Sequence, residues 1–188
     1  MENILTYDKF SAQFGNLKIP KPLKALFDFE NQFTLEQSFS QGFYLDDIDK
    51  YGLSTWCDKE EFLNNIIEFA TANGSGSSYA FWKINDNLDF CPIVVFGDEG
   101  GYHIVAENIL DFMQLLTYDT EISVDHEQVY FYKDEDDYEE SENAEIYRNW
   151  LKQNFNLEAI NNPESIIEKA QEKYKLQFDN WMKHYTEE

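Results

Sequence analysis

The chain predicts an α+β fold, an antiparallel sheet of about four to six strands flanked by helices, on three observations. Short runs rich in β-branched and aromatic residues, 78–83, 90–96 and 102–106, follow one another in the sequence. They are separated by the turn chemistry of Asn85-Asp86-Asn87 and Gly97-Asp98-Glu99-Gly100-Gly101, the pattern of an antiparallel meander. Apolar residues at helical spacing stand on both sides of that meander. Finally, 43% hydrophobic and 17% aromatic residues in 188 are enough for a substantial core and too many for a disordered chain. A single domain is expected.

Residues 1–16 carry Ile4, Leu5, Tyr7, Phe10 and Phe14 at an irregular spacing partly compatible with a helix. Residues 17–22 are an extended entry, because a residue before proline is pushed out of the helical region. Pro22 then suits a first helical position, with Leu23, Leu26 and Phe27 on one face. Residues 33–43 fit neither period; Phe43-Tyr44-Leu45 is strand-like and residues 46–49 read as a solvated turn. A helix is predicted from Asp58, with Glu61 completing a capping box and Phe62, Leu63, Ile66, Ile67, Phe69 and Ala70 forming its apolar stripe. Asn73-Gly74 would stop it, and residues 74–78 read as a flexible Gly/Ser linker.

The meander leads into a helix from Asn108, whose Ile109, Leu110, Phe112, Met113, Leu115 and Leu116 are wide enough to lie on a sheet. A short aromatic strand follows at 129–132, with Tyr130 and Tyr132 either in the core or at an interface. Two more helices are expected, about 142–154 and about 163–185. The second opens on Asn162-Pro163-Glu164, a cap, a proline at the first position and an acid in the first turn. This pair either covers an open sheet face or offers an interface.

No apolar run approaches the ~20 residues of a membrane span, and no basic segment followed by an apolar one marks a secretory signal. A cytoplasmic protein is expected, with Cys57 and Cys91 as buried reduced thiols. Thirty-seven acidic side chains against fourteen basic ones give a formal net charge of −23. That field repels nucleic acid and anionic lipid and attracts basic partners. A generally acidic, soluble protein with no such partner accounts for the charge equally well.

The sequence carries no cofactor or metal motif. Cys57, Cys91, His103, His126 and His184 lack zinc-ligand spacing. The acidic window from Asp134 lacks the sixth-position glycine of a calcium loop, and residues 74–78 lack the lysine of a phosphate-binding loop. Asp98, Glu99 and His103 lie close enough in sequence for acid/base work, yet no nucleophile with a matching base accompanies them. Asp98 and Glu99 suit a capped or solvated turn as well. The strongest charge run holds Asp134, Glu135, Asp136, Asp137, Glu139, Glu140 and Glu142. It reads either as a solvated loop or as a patch of carboxylates imitating phosphates for a basic groove.

Strand-turn-strand over 78–96, the Gly97-Asp98-Glu99-Gly100 turn, the strand ending in Ala106 and the helix of 108–116 together resemble the core of the SUKH superfamily. Ile19-Pro20-Lys21-Pro22-Leu23 and Phe43-Tyr44-Leu45 fall in the order that family would use. The resemblance spans about 17–117, leaving about 142–186 as a C-terminal two-helix extension. The superfamily includes yeast cell-wall synthesis regulators of the Smi/Knr type and bacterial immunity proteins of toxin systems. It therefore implies a non-enzymatic protein-binding module, an immunity protein that blocks a cognate toxin with a basic surface, such as a nuclease domain. Asp134, Glu135, Asp136, Asp137, Glu139 and Glu140, then Asp98 and Glu99, are the expected partner-binding residues. Two alternatives stand beside it: a regulatory or scaffold module of the same fold, and a small hydrolase using Asp98, Glu99 and His103.

Overall fold

A computed structural model describes residues 5–33, 37–134 and 136–187. Short helices α1 (Tyr7–Ala12) and α2 (Lys21–Glu30) precede the edge strand β1 (Tyr44–Leu45). Helices α3 (Tyr51–Ser54) and α4 (Glu60–Asn65) lead into β2 (Ile66–Thr71), β3 (Ser78–Trp82), β4 (Ile93–Phe96) and β5 (Tyr102–Ala106). Then come α5 (Ile109–Leu115), the hairpin β6 (Ile122–Val124) and β7 (Val129–Phe131), and helices α6 (Ala144–Phe155) and α7 (Glu164–Thr186). Strands β1 to β5 form one antiparallel sheet in sequence order, and β6 and β7 form a separate two-stranded sheet. The fold is α+β, as the meander pattern predicts.

One element corrects the sequence reading. The helix expected from Asp58 to Asn73 stops at Asn65, and Ile66–Thr71 is strand β2, paired to β3 from Ile66↔Trp82 to Thr71↔Ser78. Its helical part is capped by Lys59 with no side-chain hydrogen bond, not by Asp58. The apolar positions meet a helical stripe and a strand buried on both faces equally well. Beta-branched isoleucines, a threonine and a phenylalanine favour the strand, where both faces are covered. Asn73 is not a helix stop but the organiser of the β2–β3 turn. Its Oδ1 accepts from the Gly76 and Ser77 N–H groups at 3.2 and 2.9 Å, and its Nδ2 donates to the Ile122 carbonyl at 3.1 Å. The Gly/Ser segment expected as a flexible linker is therefore a hydrogen-bonded hairpin turn. Smaller departures follow local chemistry: residues 88–90 form a 3-10 turn before β4, and α7 starts after Pro163 with no side-chain cap.

The two faces of the sheet carry separate cores. On the front, Ile67, Phe69, Tyr79, Phe81, Ile93, Val95 and Val105 pack with Phe10, Leu26, Phe112, Tyr147 and Leu151 from the surrounding helices. Tyr147 reaches the Met113 carbonyl at 2.7 Å, tying α6 into this layer. On the back, Ile66, Ala80, Trp82, Val94, Phe96 and Ile104 meet Leu53, Phe62, Phe178 and Met182. Helix α7 lies along β5, its Trp181 ring stacked on Phe62 at 5.2 Å and Gln171 donating to the Ile104 carbonyl at 3.1 Å. The C-terminal helices thus cover the sheet, one on each side. Among the described residues no helix is long and apolar enough to cross a membrane.

Candidate functional site

Helix α7 covers the back face along β5. Toward β1 the same face opens into a cleft of about 760 Å³. Alternation along the strands decides its floor. Leu45 turns into the front core and leaves Tyr44 on the other face, 44% exposed. Glu68 stands on the back face between Ile66 and the β-bulge that shifts register before Ala70. Ser78 and Phe96 complete the floor from β3 and β4. The rim comes from loops: Asp46 and Asp49 before α3, Trp56 after it, the 73–77 turn, Asp98 and His126.

Glu68 is the unusual group. The residue is only 7% exposed. Ser78 Oγ donates to its Oε1 at 2.5 Å, while Oε2 is buried and meets no donor among the described residues. Burial drives its pKa up to about 7 and nearby Asp49 adds to the rise; the Ser78 hydroxyl and the Lys50 ammonium oppose it. Lys50 closes no ion pair with it among the described residues; its ammonium donates to the Leu63 carbonyl. An ionised carboxylate with a free buried oxygen is costly, so this cleft stores an unmet demand for a cation or a donor. Asp98 behaves oppositely at the rim: the Ser75 and Ser77 hydroxyls donate to it at 2.8 Å each and hold its carboxyl below the usual range.

The second acidic region is the segment after β7. Its anchor is Asp119, 1% exposed and in a left-handed conformation at φ 55°. Asp119 accepts from Tyr138 Oη at 2.6 Å, from Ser141 N and Oγ at 2.8 and 2.6 Å, and from Gln41 N at 3.0 Å. Gln41 also donates its side chain to the Glu139 carbonyl at 2.7 Å. Lys133 sits 3.6 Å over the Tyr138 ring and donates to the Tyr118 carbonyl at 2.8 Å. The loop backbone is therefore fixed from beneath.

The predicted partner-binding residues divide in this frame. Asp136, Asp137 and Glu139 are exposed and join no ion pair among the described residues. Asp134 is half-buried, accepting from the Asp136 N–H at 3.0 Å and shaping the turn. Glu140 is paired with Arg148. Glu135 lies outside the described residues. Asp98, Glu99 and His103 are not brought together: only Asp98 lines the cleft, and Glu99 is exposed. His103 is 4% exposed, donates Nε2–H to the Asp125 carbonyl at 2.7 Å, and is held below the usual histidine pKa by burial. The glycine turn beside them is structural. Gly101 has φ +85°, and a Cβ there would lie 2.0 Å from the Asp125 carbonyl oxygen.

Sequence reasoning missed Glu68, Ser78, Asp49 and Trp56. The available signal was an acid inside the apolar run Ile66-Ile67-Glu68-Phe69-Ala70, which a strand reading would place on one face with Ile66. No protein-family model, curated protein or solved structure matches the chain.

Proposed function

We propose that this chain is a non-enzymatic protein-binding module, an immunity protein of the SUKH-like class that neutralises a cognate bacterial toxin in the cytoplasm. The observation that carries the proposal is the outward display of Asp136, Asp137 and Glu139 on a loop whose backbone Asp119 holds in place. A loop ordered before it meets a partner loses less conformational entropy on docking. Unpaired carboxylates on it, within a net charge of −23, steer a basic surface at long range. Tyr132, 73% exposed beside the acids, is an aromatic anchor of the kind interfaces use. The resemblance of 17–117 to the SUKH core supports the class, and a nuclease domain is the kind of basic toxin this surface suits.

The test is first whether a toxin gene lies beside this one, as the proposal requires, and then co-expression with that toxin and association kinetics between the purified pair. The chain should protect the cell. The triple variant Asp136→Asn, Asp137→Asn, Glu139→Gln should associate about tenfold more slowly at low salt, with a flatter salt dependence. An unchanged on-rate removes the loop from the mechanism, and absence of both protection and complex removes the immunity reading.

A further inference from the structure

The cleft floored by Glu68 lies apart from the tethered loop and asks for a different chemistry. We propose that it is a binding site for an alkyl guanidinium or alkyl ammonium group, with the Glu68 carboxylate as counter-ion and Trp56, Tyr44 and Phe96 as the walls for the alkyl stem.

Three features of the cleft converge on that ligand. Among the described residues the lining holds the carboxyls of Asp46, Asp49, Glu68 and Asp98 and no lysine or arginine. Lys50, whose charge acts on Glu68, lies outside the lining and donates to the Leu63 carbonyl. His126 at the opposite rim is the remaining basic group of the lining. The Glu68 residue at the floor is more than nine-tenths buried and, among the described residues, leaves Oε2 without a donor. A guanidinium with its five N–H donors, or an ammonium with three, supplies what that oxygen lacks and brings the charge that makes ionisation favourable there.

The donor set does not suit a metal ion. Among the described residues no group of three histidine, cysteine, aspartate or glutamate side chains could hold one. The walls suit an organic cation instead. Trp56 is half-buried, packed edge-on to Phe96 at 5.8 Å and to Tyr102 at 5.5 Å, so it is a fixed apolar surface. Indole and phenol faces beside carboxylates favour cations that carry apolar stems. The volume falls in the range of small-ligand sites, about 300–1,000 Å³.

Such a group has two sources, a free amine or the side chain of an arginine or lysine on a protein, and both present the same chemistry to Glu68. Docking of either lowers the Glu68 pKa toward its ordinary range. Protons therefore leave the protein as the ligand enters near neutral pH.

Titration calorimetry of the full chain at pH 7 with agmatine, and separately with the blocked tripeptide Gly-Arg-Gly, tests this in two buffers of different ionisation enthalpy. The expected result is binding accompanied by release of about half a proton. Agmatine the tighter of the two points to a free amine, and the tripeptide the tighter to a protein side chain. Glu68→Gln should weaken binding at least tenfold and abolish the proton release, with Asp49→Asn and Trp56→Leu weakening it severalfold. Should Glu68→Gln fail to fold, those two rim variants decide. Absence of binding by either probe, or undiminished binding in the variants, overturns the proposal. The triple loop variant should bind agmatine like the wild type, so failure here leaves the steering reading intact.

Discussion

The molecule has two acidic regions, and they are opposite in kind. The segment after β7 exposes Asp136, Asp137 and Glu139, and the acid that holds it, Asp119, is buried beneath four hydrogen bonds. The β2 cleft exposes only its rim and buries a carboxyl, Glu68, with one oxygen unmet. Both buried acids are almost fully enclosed, at 1% and 7% exposure, so depth does not separate them. Satisfaction does. Asp119 accepts four hydrogen bonds and is structural, whereas Glu68 keeps one oxygen without a donor among the described residues, which is the oxygen the proposed ligand would meet.

The largest expected effect comes from breaking the saturated site. Asp119→Ala removes the acceptor for four donors and forces alanine into a left-handed backbone, and should cost about 3–5 kcal/mol in chemical denaturation. Amide exchange in 136–142 should rise with it. Asp119→Asn keeps an acceptor and a side chain that tolerates this conformation, and should cost less. A loss for Asp119→Ala no larger than for a surface substitution would dissolve the distinction between the two regions.

A smaller effect of different form is expected at the unsaturated site. The folded chain holds a proton on Glu68 up to about pH 7 that the unfolded chain gives up around 4.5. The stability this contributes is whole below pH 4.5 and lost as pH rises through about 7. The shift corresponds to about 3 kcal/mol, seen as the difference in pH dependence between wild type and Glu68→Gln. Glu30 acts with the same sign over a wider window, from 4.5 up to about 8, because burial raises its carboxyl while it accepts the Leu45 N–H. Its contribution is common to both proteins and cancels in that difference. Parallel curves for wild type and variant would mean that Glu68 is solvated.

How much of this is legible in the sequence depends on how local the cause is. The β3, β4 and β5 meander and the helix capped by Asn108 are visible because turn glycines and an adjacent cap decide them; Asn108 Oδ1 accepts from Leu110 N and Asp111 N at 2.9 and 3.0 Å. Strand β2 is not, because a strand buried on both faces loses the polar-apolar alternation that would distinguish it from a helix. That ambiguity hides the cleft as well, since in the helical reading Glu68 is merely a polar-face residue. The acid run after β7 is plain, but its anchor is one of 37 acidic residues with nothing local to mark it. Asp119 gains its meaning from Gln41, Tyr138 and Ser141, and Asp98 from Ser75 and Ser77, all brought near by the tertiary fold.

The most direct measurement is an NMR titration of the Glu68 side-chain carboxyl carbon in the folded, ligand-free protein. The account predicts a midpoint near pH 7, well above the ordinary 4.5, moving down when agmatine is added. A midpoint at the ordinary glutamate value, unmoved by agmatine, would contradict it.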